Sequence, residues 1–147
     1  MSKLKLPPGT WIERDLFESP AFNALSGYSP QLLINVLAKR QFSTLKFGRR
    51  QKRVCTNCDQ LNLTYVEFKR KYGISEPRMK RAIDQLLEKG FLSIVRKGGA
   101  FQKDKSIYAL SEQWKFWRPG IICETREKEC VQRGFCKPKK QIEHTKP

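Results

Sequence analysis

The chain has 147 residues, of which 39% are hydrophobic and 30% charged, so we expect one hydrophobic core rather than two full domains or wholesale disorder. Its 30 Lys and Arg residues against 14 Asp and Glu give a formal net charge of +16, which calls for an anionic partner such as nucleic acid. The sequence shows no signal peptide, no membrane-spanning segment and no amphipathic basic segment. We therefore expect a cytoplasmic protein that does not bind membranes.

Two Ser-Pro pairs mark helix starts in the first part of the chain. Ser19 and Pro20 predict a short capped helix, and residues 29–30 begin a longer helix that extends to about Arg40. The apolar residues of the longer helix recur at helical spacing and are Leu32, Leu33, Val36 and Leu37. We therefore expect residues 1–28 to form an N-terminal brace and the longer helix to be the first helix of the core.

A strongly basic segment follows this helix. Residues 39–53 contain seven cations and no acid, and their apolar residues show no sustained period. The segment is therefore interpreted as a basic loop, residues 39–58, that adds an electrostatic contact to nucleic acid. Its candidate phosphate-binding residues are Arg49, Arg50, Lys52 and Arg53. RNA binding by this loop is an alternative.

Two further helices are predicted in close succession. Thr64 and Glu67 have the spacing of a capping box that starts the first, and Gly73 is suited to end it. Ser75 then caps the second helix, which extends to Lys89. The apolar stripe of that helix consists of Met79, Ala82, Ile83, Leu86 and Leu87. Helices joined by so short a turn must cross steeply.

A β-hairpin is predicted next, from residues 91–96 and 106–110, because β-branched and aromatic residues flank a glycine-containing basic loop. Three aromatic residues follow and are expected to cover the open side of the core or to pack against a second copy of the chain. They are Trp114, Phe116 and Trp117. Residues 119–147 are predicted to be a basic, cysteine-containing tail that is partly disordered, above all in its last ten residues.

Helix, tight turn, helix and β-hairpin in this order resemble the winged helix-turn-helix superfamily of DNA-binding proteins. The matching residues are Leu63-Thr64-Tyr65, Gly73-Ile74-Ser75, Arg81-Ala82-Ile83 and Lys89-Gly90-Phe91-Leu92. The pattern is most similar to small winged-helix proteins of phages and plasmids, including the DNA-binding domains of replication proteins. The resemblance implies an α+β, mainly α fold for residues 29–118, with a three-helix core and a β-hairpin wing. It also implies that the second helix of the pair enters the major groove of DNA.

The solvent face of that second helix carries candidate base-reading residues. Arg78, Arg81 and Gln85 lie opposite the apolar stripe, and arginine and glutamine suit guanine and adenine respectively. Ordinary solvated helix residues are the alternative interpretation. Further candidate contacts to the DNA backbone are Lys69, Arg70, Lys71, Ser75, Lys80, Arg96, Lys97, Lys103 and Lys105.

The five cysteines include one Cys-x-x-Cys pair, Cys55 and Cys58, at the spacing of two zinc ligands. A zinc site needs two more ligands, for which the tail offers Cys123, Cys130 and Cys136 at non-standard spacing. We expect free thiols and no cofactor in a reducing compartment, with zinc as the alternative.

No enzymatic motif is evident, because the single histidine lies in the tail and no glycine-rich phosphate loop precedes a helix. We therefore expect a non-enzyme without a small-molecule substrate. The first hypothesis is a sequence-specific binder of double-stranded DNA, either a transcriptional regulator or a replication-initiation accessory, that acts as a monomer or as a homodimer. The alternatives are a protein-interaction module built on the winged helix and an RNA-binding protein that uses the basic loop and the tail.

Overall fold

The chain is described by a computed structural model that covers residues 8–98 and 105–126. Within these ranges it is a mixed α+β fold of five helices and two small antiparallel sheets. The helices are α1 (Arg14–Phe17), α2 (Pro20–Asn23), α3 (Ser29–Ala38), α4 (Tyr65–Tyr72) and α5 (Glu76–Glu88). The strands are β1 (Phe42–Phe47), β2 (Arg50–Cys55), β3 (Leu61–Asn62), β4 (Leu92–Arg96) and β5 (Ile107–Leu110), and a 3-10 turn follows at Gln113–Phe116.

The brace begins with two short helices that are joined through one serine. Ser19 caps α2, because its hydroxyl accepts a hydrogen bond from the Phe22 N–H at 3.1 Å and donates one to the Leu16 carbonyl at 2.6 Å. The prediction of a capped helix at Ser19 is therefore confirmed. The N-cap of α3 is Tyr28, and Ser29 is the first residue of that helix.

The core lies between α3, α4, α5 and the three-stranded sheet. Its fully buried side chains include the predicted stripes of α3 and α5, together with Phe68 of α4 and Phe91. Trp114 stacks on Phe91 with ring centroids 6.0 Å apart, and Trp117 is also buried. Phe116, by contrast, is 80% exposed, so two of the three predicted aromatic residues cover the core and the third does not.

The three-stranded sheet has the order β3-β5-β4. The predicted hairpin of β4 and β5 is present, with Leu92 opposite Leu110 at one end and Arg96 opposite Ile107 at the other. The short strand β3 adds Leu61 opposite Tyr108 and was absent from the sequence prediction, because two residues are too few to show an alternating pattern.

The prediction of a basic loop over residues 39–58 is wrong. Most of the segment is an antiparallel hairpin, in which β1 and β2 pair from Phe42 opposite Cys55 to Phe47 opposite Arg50, with a tight turn at Gly48 and Arg49. We call residues 42–55 the basic ribbon. Aromatic and β-branched residues favour its strands, but almost every side chain is exposed, so the polar and apolar alternation of a half-buried strand is missing.

The predicted tail is packed against the domain over its first residues, 119–126, which we call the C-terminal strap. The Cys123 N–H donates to the Glu88 carbonyl at 2.9 Å, and the Ile94 N–H donates to Glu124 Oε2 at 3.1 Å. The strap therefore runs from the end of α5 across β4. The remainder of the tail, including the ten residues expected to be disordered, lies outside the described residues.

Candidate nucleic-acid interface

The turn between α4 and α5 sets the direction of α5. Gly73 ends α4 with a φ of +66°, a conformation that glycine adopts without strain, and the buried Ile74 anchors the turn in the core. Ser75 is the N-cap of α5, as predicted, with extended backbone and an exposed side chain that makes no capping hydrogen bond. The Ser75 hydroxyl therefore makes no hydrogen bond to the start of the helix. This leaves it accessible, which its predicted role in phosphate binding requires.

The predicted capping box at the start of α4 does not form, although the helix begins where expected. The Glu67 carboxylate instead accepts hydrogen bonds from Lys39 Nζ at 2.7 Å and from Lys71 Nζ at 3.2 Å. The hydrogen bond from Lys39 is the main cause that lowers the pKa of Glu67, Lys71 acts in the same direction, and burial opposes both. Lys71, a candidate phosphate contact, is thus already paired with an acid.

Arg78 and Arg81 are the most accessible of the predicted base-reading residues. Both side chains are exposed on α5, three positions apart and therefore neighbours on one helix face. Neither makes a hydrogen bond or an ion pair to the described part of the chain. Both guanidinium groups keep their full set of donors for a ligand in front of α5.

Gln85 lies in a different environment from the two arginines. Its side-chain oxygen accepts a hydrogen bond from the Ser26 N–H at 2.9 Å, and its amide nitrogen donates to the Ser26 hydroxyl at 3.0 Å. The brace thus occupies the flank of α5 where Gln85 lies. Base reading by Gln85 would require breaking both hydrogen bonds, so the base-reading hypothesis rests on Arg78 and Arg81.

On the opposite flank of α5, Arg126 of the strap neutralises the charge of Asp84. Its guanidinium lies 2.6 Å from Asp84 Oδ1 and also donates to the Tyr65 hydroxyl at 3.2 Å and to the Lys80 carbonyl at 2.9 Å. Burial alone would lower the pKa of Arg126, but the hydrogen bonds to Asp84 and Tyr65 outweigh burial and raise it above its ordinary value. The negative charge of Asp84 is thereby cancelled beside the two exposed arginines.

Other candidate phosphate contacts surround this face. Lys69 and Arg70 are exposed on α4, and Arg70 lines a shallow surface hollow together with Lys105, which precedes β5. Lys80 is paired with Glu76 of the same helix at 3.1 Å. The structure therefore brings one cation of α4 and one cation next to β5 to the same hollow, which Glu67 also lines.

The predicted wing carries exposed cations where β4 ends. Arg96 is the last residue of β4 and Lys97 follows it, and the neck of the hairpin is held by a hydrogen bond from the Gly98 N–H to the Ser106 hydroxyl at 3.0 Å. Lys103 lies outside the described residues. The described wing cations are therefore those next to the neck.

The basic ribbon joins the three-stranded sheet at the end where β4 begins and β5 ends. Cys58, just after the ribbon, accepts a hydrogen bond from the Leu110 N–H, and Leu110 lies opposite Leu92. The ribbon cations Arg49, Arg50, Lys52 and Arg53 therefore belong to a hairpin whose base lies at the opposite end of the sheet from Arg96 and Lys105.

The cysteine pair differs from the expected free or metal-bound thiols, because Cys55 and Cys58 form a disulfide. Cys123 is a free thiol in the strap, and burial raises its pKa. Within residues 8–98 and 105–126, no group of three or more His, Cys, Asp or Glu residues is arranged to hold a metal ion. Cys130 and Cys136, the other proposed zinc ligands, lie outside the described residues.

Neither of the two contacts that flank α5 was foreseen from the sequence. Arg126 reaches Asp84 across 42 positions and Ser26 reaches Gln85 across 59 positions, so no local pattern connects the partners. The only sign of the first contact in the sequence is Arg126 itself, an arginine of the predicted tail that belongs to no motif.

Comparison of the chain with protein-family models, with curated proteins and with solved structures finds no match. Among the described residues, every helix is too short or too polar to cross a lipid bilayer.

Proposed function

We propose that the chain is a winged helix-turn-helix protein that binds double-stranded DNA in a sequence-specific manner. The order α3, β3, α4, α5, β4, β5, in which the basic ribbon of β1 and β2 is inserted between α3 and β3, and the sheet order β3-β5-β4 support this interpretation. In this interpretation α5 is the recognition helix and the hairpin of β4 and β5 is the wing. The role proposed for the protein is regulation of transcription or assistance in replication initiation.

The observation that carries the proposal is the electrostatic state of the α5 surface. Arg78 and Arg81 are exposed without partners in the described chain, while the acids beside them are paired, Asp84 with Arg126 and Glu76 with Lys80. The first half of α5 therefore presents two unpaired arginines and no unpaired acid, whereas Glu88, for which the described chain gives no ion pair, lies two helical turns beyond Arg81. Such a surface suits a polyanion better than it suits solvent or an apolar partner.

The dimensions of α5 fit the proposed role. Its 13 residues give a length of about 20 Å, and the major groove of B-DNA admits one α-helix. Arg78 and Arg81 would each donate two hydrogen bonds to a guanine, a contact that discriminates by about 1 to 3 kcal/mol. Arg70 and Lys105 would contact phosphates beside the groove and fix the orientation of the helix.

Selection of bound duplexes from a random pool tests the proposal. We expect one enriched motif, and a palindromic motif would also indicate a homodimer. Arg81→Ala should weaken binding to the selected site by roughly 5-fold to 150-fold, which corresponds to about 1 to 3 kcal/mol, and should weaken binding to random duplex much less.

Arg14→Ala is the matched control, because Arg14 is an exposed arginine of α1 outside the proposed interface. It removes the same charge from the chain and should leave the preference for the selected site unchanged. Enrichment of no motif, or equal losses of specific and non-specific binding in Arg81→Ala, would contradict base reading by α5.

A further inference from the structure

The basic ribbon is a two-stranded sheet with no further strand paired to either edge in the described chain, and it carries cations on both faces. By register, Lys46 and Arg53 lie on one face, Arg50 and Lys52 lie on the other, and Arg49 lies in the turn. The ribbon contains no acid. None of its five cations forms a hydrogen bond or an ion pair with the described chain, although the Arg53 guanidinium lies over the Phe42 ring, 4.6 Å from its centroid. Its positive charge is therefore presented in every direction rather than on one side.

This distribution favours a ligand that surrounds the ribbon. A flat anionic surface would contact one face and leave the cations of the other face without a partner. A groove of duplex DNA has a phosphate row along each wall, and the major groove is wide enough for a two-stranded ribbon. The basic ribbon therefore matches a DNA groove in both charge and shape.

The tip of the ribbon adds an exposed aromatic ring. Phe47 is 63% exposed immediately before the turn, directly opposite Arg50, and the nearby Leu45 is also exposed. Large apolar side chains at such a position are unfavourable in water and pack against no core. In a DNA groove, an apolar side chain between cations would contact base edges or wedge between base steps.

The base of the ribbon is fixed to the domain by several contacts. The Asn57 side chain accepts the Gln41 N–H at 2.7 Å and donates to the Lys39 carbonyl at 2.9 Å, which closes the two ends of the hairpin. The disulfide of Cys55 and Cys58 lies at the same place. From this anchored base, strands of six residues extend for about 20 Å, so the cations are held on a preorganised arm.

The base of the ribbon and the proposed reading residues lie towards opposite ends of α5. Chain continuation through Gly90 into β4 places the end of α5 near Leu92, the same end of the sheet at which the ribbon is rooted. Arg78 and Arg81, however, lie in the first half of α5. The ribbon therefore leaves the domain near the end of α5 that the proposed reading residues do not occupy.

We propose that the basic ribbon is a second DNA-binding element, which enters a groove of a duplex segment other than the one held by α5. The five cations contact the two phosphate rows, and Phe47 contacts the bases. One molecule then joins two duplex segments. The joining of two segments rests on the function proposed for α5, whereas DNA binding by the ribbon itself does not.

A capture assay with the full chain tests the proposal. One duplex that carries the selected α5 site is immobilised, protein is bound, and a second, fluorescent duplex of unrelated sequence is added. The ribbon variant combines Arg49→Gln, Arg50→Gln and Lys52→Gln. We expect it to keep the affinity of α5 for the immobilised site within about threefold, because α5 is unchanged, and to lose at least about tenfold in capture of the second duplex.

A second variant tests the aromatic contact. Phe47→Ala should reduce capture by about tenfold, as expected for loss of one ring that contacts bases. Phe116→Ala is its matched control, because Phe116 is an exposed phenylalanine outside the ribbon and its loss should not change capture. The replaced ribbon side chains are exposed, so unchanged thermal unfolding will verify that the variants are folded.

The outcomes separate the two proposals. If Arg81→Ala has no effect on specificity but the ribbon variant loses at least about tenfold in total duplex binding, the function of α5 is refuted and DNA binding by the ribbon is supported. If Arg81→Ala loses specificity but the folded ribbon variant captures the second duplex like the wild type, the ribbon proposal is overturned. The ribbon proposal is also overturned if structured RNA or single strands inhibit capture of the second duplex more strongly than competing duplex DNA does.

Discussion

Gly90, just after α5, combines a left-handed backbone with very close packing. Its φ is +81°, and a Cβ atom there would lie 2.7 Å from Gln113 Cβ and 2.8 Å from the Trp114 nitrogen. We expect Gly90→Ala to lower the free energy of unfolding by about 3 kcal/mol, as the sum of left-handed strain and overpacking. Urea unfolding of the two proteins measures the difference.

Gly73 provides the matched control for Gly90. Its φ is +66°, but the space around an added Cβ atom is open, so Gly73→Ala carries backbone strain without a clash. We expect a loss of about 1 to 2 kcal/mol in this variant. Equal losses in the two variants would mean that the contact of Gly90 with residues 113–114 has no energetic weight.

Glu67 makes the domain sensitive to acid. Its hydrogen bond with Lys39 lowers its pKa below the ordinary value of 4.5, so the folded state binds the proton less readily than the unfolded state. The resulting stabilisation is present above that ordinary value and is lost as the pH falls through the folded pKa. We expect Glu67→Gln to lower the free energy of unfolding by up to about 1 kcal/mol at neutral pH.

The difference between wild type and Glu67→Gln should shrink progressively as the pH falls below 4.5 and through the lowered pKa of Glu67 in the folded protein, and urea unfolding at a series of pH values from neutral to acidic measures it. Glu112→Gln is the control, because Glu112 forms an exposed ion pair with Lys115 and its loss should be small at every pH of the series. A loss in Glu67→Gln that does not depend on pH would exclude the ionic origin of this contribution.

At the scale of elements, the helices that bury one face were predictable from the sequence. The stripe of α5 and the glycine after α4 are local patterns, and both helices begin and end where these patterns place them. The basic ribbon was missed because an exposed hairpin has no buried face to produce alternation. The capping box failed because Lys39, 28 positions away, competes for Glu67.

Only part of the candidate site could be predicted, because only part of it follows from local sequence patterns. The exposed positions of Arg78 and Arg81 follow from helical periodicity around the buried Met79. The partners of Asp84 and Gln85 come from the two ends of the chain and are set by tertiary packing, which a single sequence does not encode in any local pattern. The strap and the brace thus define the limits of the reading surface.

The strap has a measurable electrostatic role if α5 binds DNA. Arg126→Ala leaves the Asp84 carboxylate unpaired beside the reading face, and the negative charge then repels phosphate. We expect the affinity for the selected site to fall by about threefold to tenfold at low salt, measured by fluorescence anisotropy, with a smaller effect at high salt.

Asp84→Asn in the Arg126→Ala background distinguishes this role from a direct contact of Arg126 with DNA. Removal of the acid should restore most of the lost affinity, because the unpaired negative charge next to Arg81 is then gone. If affinity stays low in the double variant while thermal unfolding is unchanged, Arg126 would have to contact DNA itself.

At the scale of the whole molecule, several acids are neutralised by ion pairs, and this leaves unpaired cations on particular elements. Glu67, Glu76, Asp84 and Glu112 each form an ion pair with a neighbouring cation. The cations of the basic ribbon have no such partners in the described chain. Within residues 8–98 and 105–126, cations without an ion pair are therefore concentrated on the basic ribbon and at Arg78 and Arg81 of α5.

The dependence of DNA binding on salt tests this distribution. If the chain contacts about 6 phosphates, the logarithm of the association constant should fall with the logarithm of salt concentration at a slope of roughly −5. In the ribbon variant, which loses three cations, we expect the slope measured on long duplex DNA to become shallower by about 2 to 3. Arg14→Ala should leave the slope unchanged, because Arg14 lies outside both proposed contact surfaces. A wild-type slope near −1 would contradict binding through phosphate contacts, and an unchanged slope in the ribbon variant would place those contacts elsewhere on the chain.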